Sequence, residues 1–191
     1  AGWLRHLIAS GEPGAREALR LMLKWGEVFG HWNAFAWSGE VLERRVFNLA
    51  CSLGAMLEPA SDAETYELAD LLARQARHLS GLAEPAHRQA ERAAAVATAG
   101  AALEGAAGQQ LLRRGLARLD KVLPITVLAD GGHASRSPEA GMELLLDLLT
   151  LDDALVQRGV ERSAELSRAI DRLTAAMRFF ALADGRLACF Q

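Results

Sequence analysis

The chain has 191 residues, 51% of them hydrophobic, with few aromatics and a formal charge of −3. That length suits one domain with a sizeable core, and the near-neutral charge excludes a global basic field that would draw in nucleic acid. Ala, Leu and Arg dominate while Val, Ile and Thr are too sparse for much sheet, so the expected class is all-α.

Residues 3–8 form a short apolar piece cut by Ser10-Gly11. Pro13 at a first helical position opens a helix to about residue 29, with Ala18, Met22, Trp25 and Phe29 on one stripe and Gly30 closing it. Ser38 is placed to cap a helix over about 39–57, whose inner face is Leu42, Val46, Leu49 and Leu53. Ser61 and Glu64 have capping-box spacing ahead of Leu68, Leu72, Ala76 and Leu79. Pro85 starts a fifth helix, Ala-rich over 93–102, where small side chains would let a neighbouring helix approach closely. Gly105 and Gly108 are expected to end it, since each glycine costs a helix roughly 1 kcal/mol against alanine. The sixth helix begins near Gln109, with Leu112, Leu116, Leu119 and Leu123 inward, and Pro124 kinks or ends it.

Residues 129–137 follow, ADGGHASRS, in which Gly131-Gly132 permits positive φ. His133, Ser135, Arg136 and Ser137 then place an imidazole, two hydroxyls and a guanidinium together, and Ser137-Pro138 reads as N-cap and first helical residue. The seventh helix runs from 138 to about 158 and is apolar almost all round over 142–151, the mark of burial on most sides. The eighth, about 162–182, carries Leu166, Ile170, Leu173, Met177 and Phe180 on one stripe. Helices of similar length on short polar links pack as successive antiparallel hairpins. Periodicity alone does not separate a toroid from an irregular bundle.

The stretch DGGHASRSP followed by ELLLDLL resembles the DGGH-x-SR-[NS]-P segment of the bacterial heparinase II/III-like proteins. The likeness extends to RAIDRLTAAMRFFALADGRLACFQ at the tail and, more loosely, to WNAFAWSGEVLERRVFNL. The resemblance implies an α/α-toroid over residues 1–186, with 187–191 as the first strand of a following β-sandwich domain, in a fragment of a longer chain. It also implies kinship with polysaccharide lyases acting on uronic-acid polymers, an acidic polysaccharide or oligosaccharide as partner, and a periplasmic setting, although no signal peptide is visible.

Elimination across a uronate needs a neutralised carboxylate, a base for the α-proton and an acid for the leaving oxygen. His133 is the candidate acid or base, and Arg136 and Ser135 are candidate substrate-binding residues. Lyases of the wider superfamily tend to carry DG-S-F-x-E-x-S-P-x-Y-H here, with the tyrosine as acid or base. This chain has Ala140 and Gly141 at the Tyr and His positions. Its one tyrosine, Tyr66, lies in another helix and is read as packing there. His87, after Ala86, is the nearest match to a carboxylate-binding Asn-His pair. The alternative for His133 and Arg136 is that they structure the loop.

Trp32 and Trp37 bracket the loop HWNAFAW and could form a sugar platform, whereas Trp25 is a core residue on its helix stripe. His6 and His78 sit in helices and need no function. Cys51 and Cys189 lie far apart in no metal-ligand spacing and read as packing residues. Neither a cofactor nor a metal site is expected, and no apolar run reaches membrane-span length. Three functions compete: a lyase-like domain, a carbohydrate-binding toroid without chemistry, and a helical module for a protein partner. The sugar readings require His133 and Arg136 to face a concave surface, within reach of one another or of Trp32 or Trp37.

Overall fold

The computed structural model describes residues 2–83, 88–184 and 186–188, to which all structural statements refer. Eight helices follow one another: α1 (Leu4–Ile8), α2 (Glu12–Phe29), α3 (Gly39–Leu57), α4 (Asp62–Gly81), α5 (Gln89–Ala102), α6 (Gly105–Thr126), α7 (Pro138–Gln157) and α8 (Ala164–Phe180). The expected all-α class and antiparallel hairpins are what the chain adopts. Odd-numbered helices pack side by side in one row and even-numbered helices in a second, each hairpin joining the rows. Pairing among the described residues outside helices is limited to the isolated bridges Val127–His133 and Ala181–Leu187. Pro85, Cys189 and Phe190, and with them the start read for the fifth helix and the end of the supposed strand, lie outside the described residues.

Several helix signals act as their chemistry requires. The Ser61 hydroxyl accepts from the Glu64 N–H while the Glu64 carboxylate accepts from the Ser61 N–H, closing the capping box. Ser137 caps α7 through the Ala140 N–H at 3.2 Å, and Ser163 caps α8 through Leu166. Ser38 stands at the N-cap of α3 but donates its hydroxyl back to the Phe35 carbonyl.

The core divides in two, with α5 as the shared wall. Ala95, Val96 and Ala99 join the cluster built by α1 to α4. Ala90, Ala93, Ala94, Ala97 and Ala101 join the cluster built by α6 to α8. Every residue from Ala90 to Ala101 is buried, because α3, α4, α6 and α7 all pack on this one helix. From Ala93 to Ala101 the side chains are small, which leaves room for that. The approach of α6 is so close that a Cβ on Gly100 would lie 2.2 Å from the Leu112 nitrogen, and one on Gly115 would lie 2.6 Å from that of Ala97.

Five expectations need correcting. Gly105 and Gly108 do not terminate α5; they form the first turn of α6, Gly105 with φ +73° and Gly108 in contact with the Leu103 carbonyl. Pro124 lies inside the last turn of α6, which continues two residues beyond it to Thr126, although its ring removes one backbone donor there. In α7 one broad face is buried through Leu144, Leu145, Leu148 and Leu151, but Leu146 and Leu149 are exposed. Tyr66 is 79% exposed on α4 and Cys51 is exposed on α3, so neither packs in a core.

Candidate functional site

The loop between α6 and α7 is a tight return. Ala134 N–H donates to the Thr126 carbonyl at 2.8 Å, and Leu128 N–H to that of Gly132 at 2.9 Å. Gly131 has φ +81°, and a Cβ there would lie 2.4 Å from the Arg172 carbonyl on α8. Glycine is required twice over, by conformation and by contact. Asp130 accepts from the Gly132 N–H and pairs with Arg136 at 3.2 Å. Arg136 adopts φ 61°, a left-handed conformation unusual outside glycine, closed by its N–H to the His133 carbonyl at 2.8 Å.

The loop turns His133 inward. Its side chain is 1% exposed. The Ser135 N–H points at Nδ1 at 3.1 Å, and the Ser135 hydroxyl lies 2.7 Å from the same atom. An N–H donor facing Nδ1 makes that nitrogen the acceptor, so the proton of a neutral ring sits on Nε2. Nε2 faces the Glu91 carboxylate at 3.4 Å. Nδ1 is thus engaged by Ser135, while Nε2 is buried against Glu91 without a hydrogen bond.

Beyond Glu91 lies a buried ionic network that the sequence reading missed. It gathers Glu43 and Arg44 from α3, Arg88 and Glu91 from the start of α5, and Glu143 and Asp147 from α7. Arg88 reaches Glu43 at 2.5 Å and Glu143 at 3.1 Å. Arg44 reaches Glu143 at 3.1 Å and binds Asp147 with both terminal nitrogens. Four carboxylates face two guanidiniums, so negative charge is in excess. A signal was present in Glu143 and Asp147, the two charges inside an otherwise apolar run. What they would meet was not legible.

The electrostatics follow from burial. Asp147 is pushed up to about 6 by loss of solvation, which outweighs the Arg44 guanidinium, and Glu43 is raised for the same reason despite Arg88. Arg88 is held above its ordinary value by Glu143 and Glu43, although burial works against its charge. An Asp raised in the folded state binds its proton more tightly there than unfolded. Stability should therefore fall as pH rises from the ordinary Asp range through about 6, and return on acidification. Thermal melts are expected to show the protein roughly 1 kcal/mol more stable at pH 5 than at pH 7, with Asp147→Asn flattening that slope. A flat profile in the parent would refute this reading. Below about pH 4 the trend reverses, because Glu64 is held near 2 by hydrogen bonding to Arg16 and Ser61.

The other candidates are dispersed. Beside the loop a cavity of about 390 Å³ is lined by Asp130, His133, Arg136 and Ser137 and by Met177, Phe179 and Phe180 of α8. His133 and Arg136 thus border one concave surface, but Arg136 is 71% exposed at its rim, and neither tryptophan lines it. Trp37 is buried in the first cluster, its indole N–H donated to the Phe29 carbonyl and its ring set edge-on to His78. Trp32 is 68% exposed. His87 lies outside the described residues. Among those described, no group of three His, Cys, Asp or Glu side chains could hold a metal ion, and no helix is long and apolar enough to cross a membrane.

No family model matches the chain. FtsZ-localized protein C of Caulobacter vibrioides (strain NA1000 / CB15N) is 55% identical over 188 residues, covering 98% of this chain. The chain spans about a third of that relative, 33% of its length. Among solved structures, heparan sulfate lyase HepC from Pedobacter heparinus superposes with a TM-score of 0.73 for a mutant and 0.71 for a second crystal structure. Identities are 19% and 18%; coverage is 97% and 95% of this chain and 32% and 30% of the lyase. The resemblance to heparinase-type proteins therefore holds at the level of the fold, while the strong sequence match carries a different kind of name.

Proposed function

We propose that this chain is a lyase-like helical domain that acts by recognition and does not itself eliminate across a uronate. The observation that carries this reading is the enclosed imidazole of His133, 1% exposed, held at Nδ1 by Ser135 and with Nε2 buried against Glu91. A general base must reach the proton it abstracts, directly or through one water. His133 instead ties the loop to α5, the loop-structuring alternative. Ala140 leaves no phenol beside it, and Tyr66 stands exposed on α4. The 55% identity to FtsZ-localized protein C supports a role in a longer protein recruited to FtsZ assemblies.

A second reading, binding of an acidic oligosaccharide without cleavage, is favoured by the exposed Arg136 guanidinium beside Phe179, whose ring is open to solvent. A guanidinium matches a carboxylate, and an aromatic face matches a sugar ring.

Two assays separate these roles. Incubation with heparan sulfate and alginate, followed by ultraviolet absorbance of the unsaturated product, is expected to show no turnover. His133→Ala should lower thermal stability and leave that absent activity unchanged. Robust cleavage that depends on His133 would overturn the proposal. In co-sedimentation with FtsZ polymers the protein is expected to pellet. Failure to pellet, combined with oligosaccharide binding that Arg136→Ala weakens, would move the assignment to the second reading.

A further inference from the structure

The geometry points to a second binding site, for a small oxyanion, in the cavity between the C-terminal end of α4, α5 and α6. It shares no lining residue with the network around His133 and has a volume of about 350 Å³. Ser80, Gln89, Arg92, Arg114 and Arg118 supply its polar lining, and among the described residues no carboxylate lines it. Arg114 donates to the Ser80 hydroxyl at 3.1 Å, which holds its guanidinium at the wall.

Arg92 is the decisive group. It is 2% exposed, and its polar partners are carbonyls: Ala83 at 2.7 Å and Leu82 at 3.5 Å. Its Nε is buried with no partner, and among the described residues no ion pair reaches it. A buried charge is ordinarily paired, because desolvation is expensive. The surroundings aggravate this one. Arg92 lies in the first turn of α5, and its Nη2 comes so near the first residue of α3 that a Cβ on Gly39 would lie 2.6 Å away. Two helix N-termini thus add partial positive charge. The carbonyls at the end of α4 offset part of it. An anion in the adjoining cavity would complete the compensation, with Arg114 as its accessible contact and Arg92 as the charge behind it. Carboxylate and phosphate groups both have the chemistry required.

The test uses the whole chain at pH 7 and constant ionic strength, titrated by calorimetry with inorganic phosphate in one arm and succinate in the other, with chloride as control. Saturable binding of at least one anion is expected, weakened about tenfold or more by Arg114→Gln and unchanged by Arg20→Gln at an exposed position of α2. Arg92→Met should abolish binding while the melting temperature holds or rises, since an uncompensated charge is replaced by an apolar chain of similar length. A phosphate response alone assigns a phosphate-bearing ligand, and a succinate response alone a carboxylate. No binding in either arm, or binding that Arg114→Gln leaves intact, would overturn the site. So would an Arg92→Met variant that is destabilised and binds normally, because Arg92 would then serve only to cap α4.

Discussion

Replacing Arg88 by alanine is expected to lower the unfolding free energy by about 3–5 kcal/mol, among the largest effects available to one substitution in this chain. Arg88 is the main cationic partner of Glu43, which is fully buried and raised in pKa even with Arg88 in place. It also shares Glu143 with Arg44 and lies 3.8 Å from Glu91, whose carboxylate is buried without a hydrogen-bond partner. Removing the guanidinium leaves several desolvated carboxylates facing one remaining arginine. Urea unfolding should show a lower midpoint at unchanged slope, the mark of lost stability without a change in surface exposed. The deficit should shrink at pH 5, where protonation of the carboxylates substitutes for the lost cation. A loss below about 1 kcal/mol at pH 7 would mean that the network is far more solvated than its burial indicates.

Gly100→Ala should destabilise the protein by about 3 kcal/mol, against the usual preference for alanine in a helix. The added carbon would meet the Leu112 nitrogen at 2.2 Å and its Cα at 2.7 Å. These are backbone atoms of α6 and cannot rotate aside, so α5 and α6 would have to separate and loosen both core clusters. Gly54→Ala is the control. That position lies within α3 with nothing within 4 Å of the added atom, so the substitution should stabilise by up to about 1 kcal/mol. If both variants melted alike, the close helix crossing would not hold the shape of the molecule.

What the sequence by itself determined is the local layer of this structure. The Ser61–Glu64 box, the Ser137-Pro138 start and the stripes of Leu68, Leu72, Ala76 and Leu79 or Leu166, Ile170 and Leu173 were legible because helix caps and periodicity act over three to seven residues. The alanine run likewise announced a close helix neighbour, since side-chain size alone limits approach. Boundaries failed where a breaker has two readings: Gly105 could end α5 or begin α6, and Pro124 could end α6 or stand two residues inside its end.

Only the tertiary structure decided the fate of the polar groups. Glu43, Glu91 and Glu143 come from helices some fifty residues apart in sequence, and the relative register of α3, α5 and α7 brings them onto Arg44 and Arg88. The same is true of His133: the motif around it announced a loop rich in chemistry, but the packing of that loop against α5 turns the imidazole onto Glu91 and away from solvent. The physical reason is that a helix cap or an apolar stripe is set by near neighbours along the chain. The burial and partner of a charge depend instead on which helix faces it, and no local spacing specifies that.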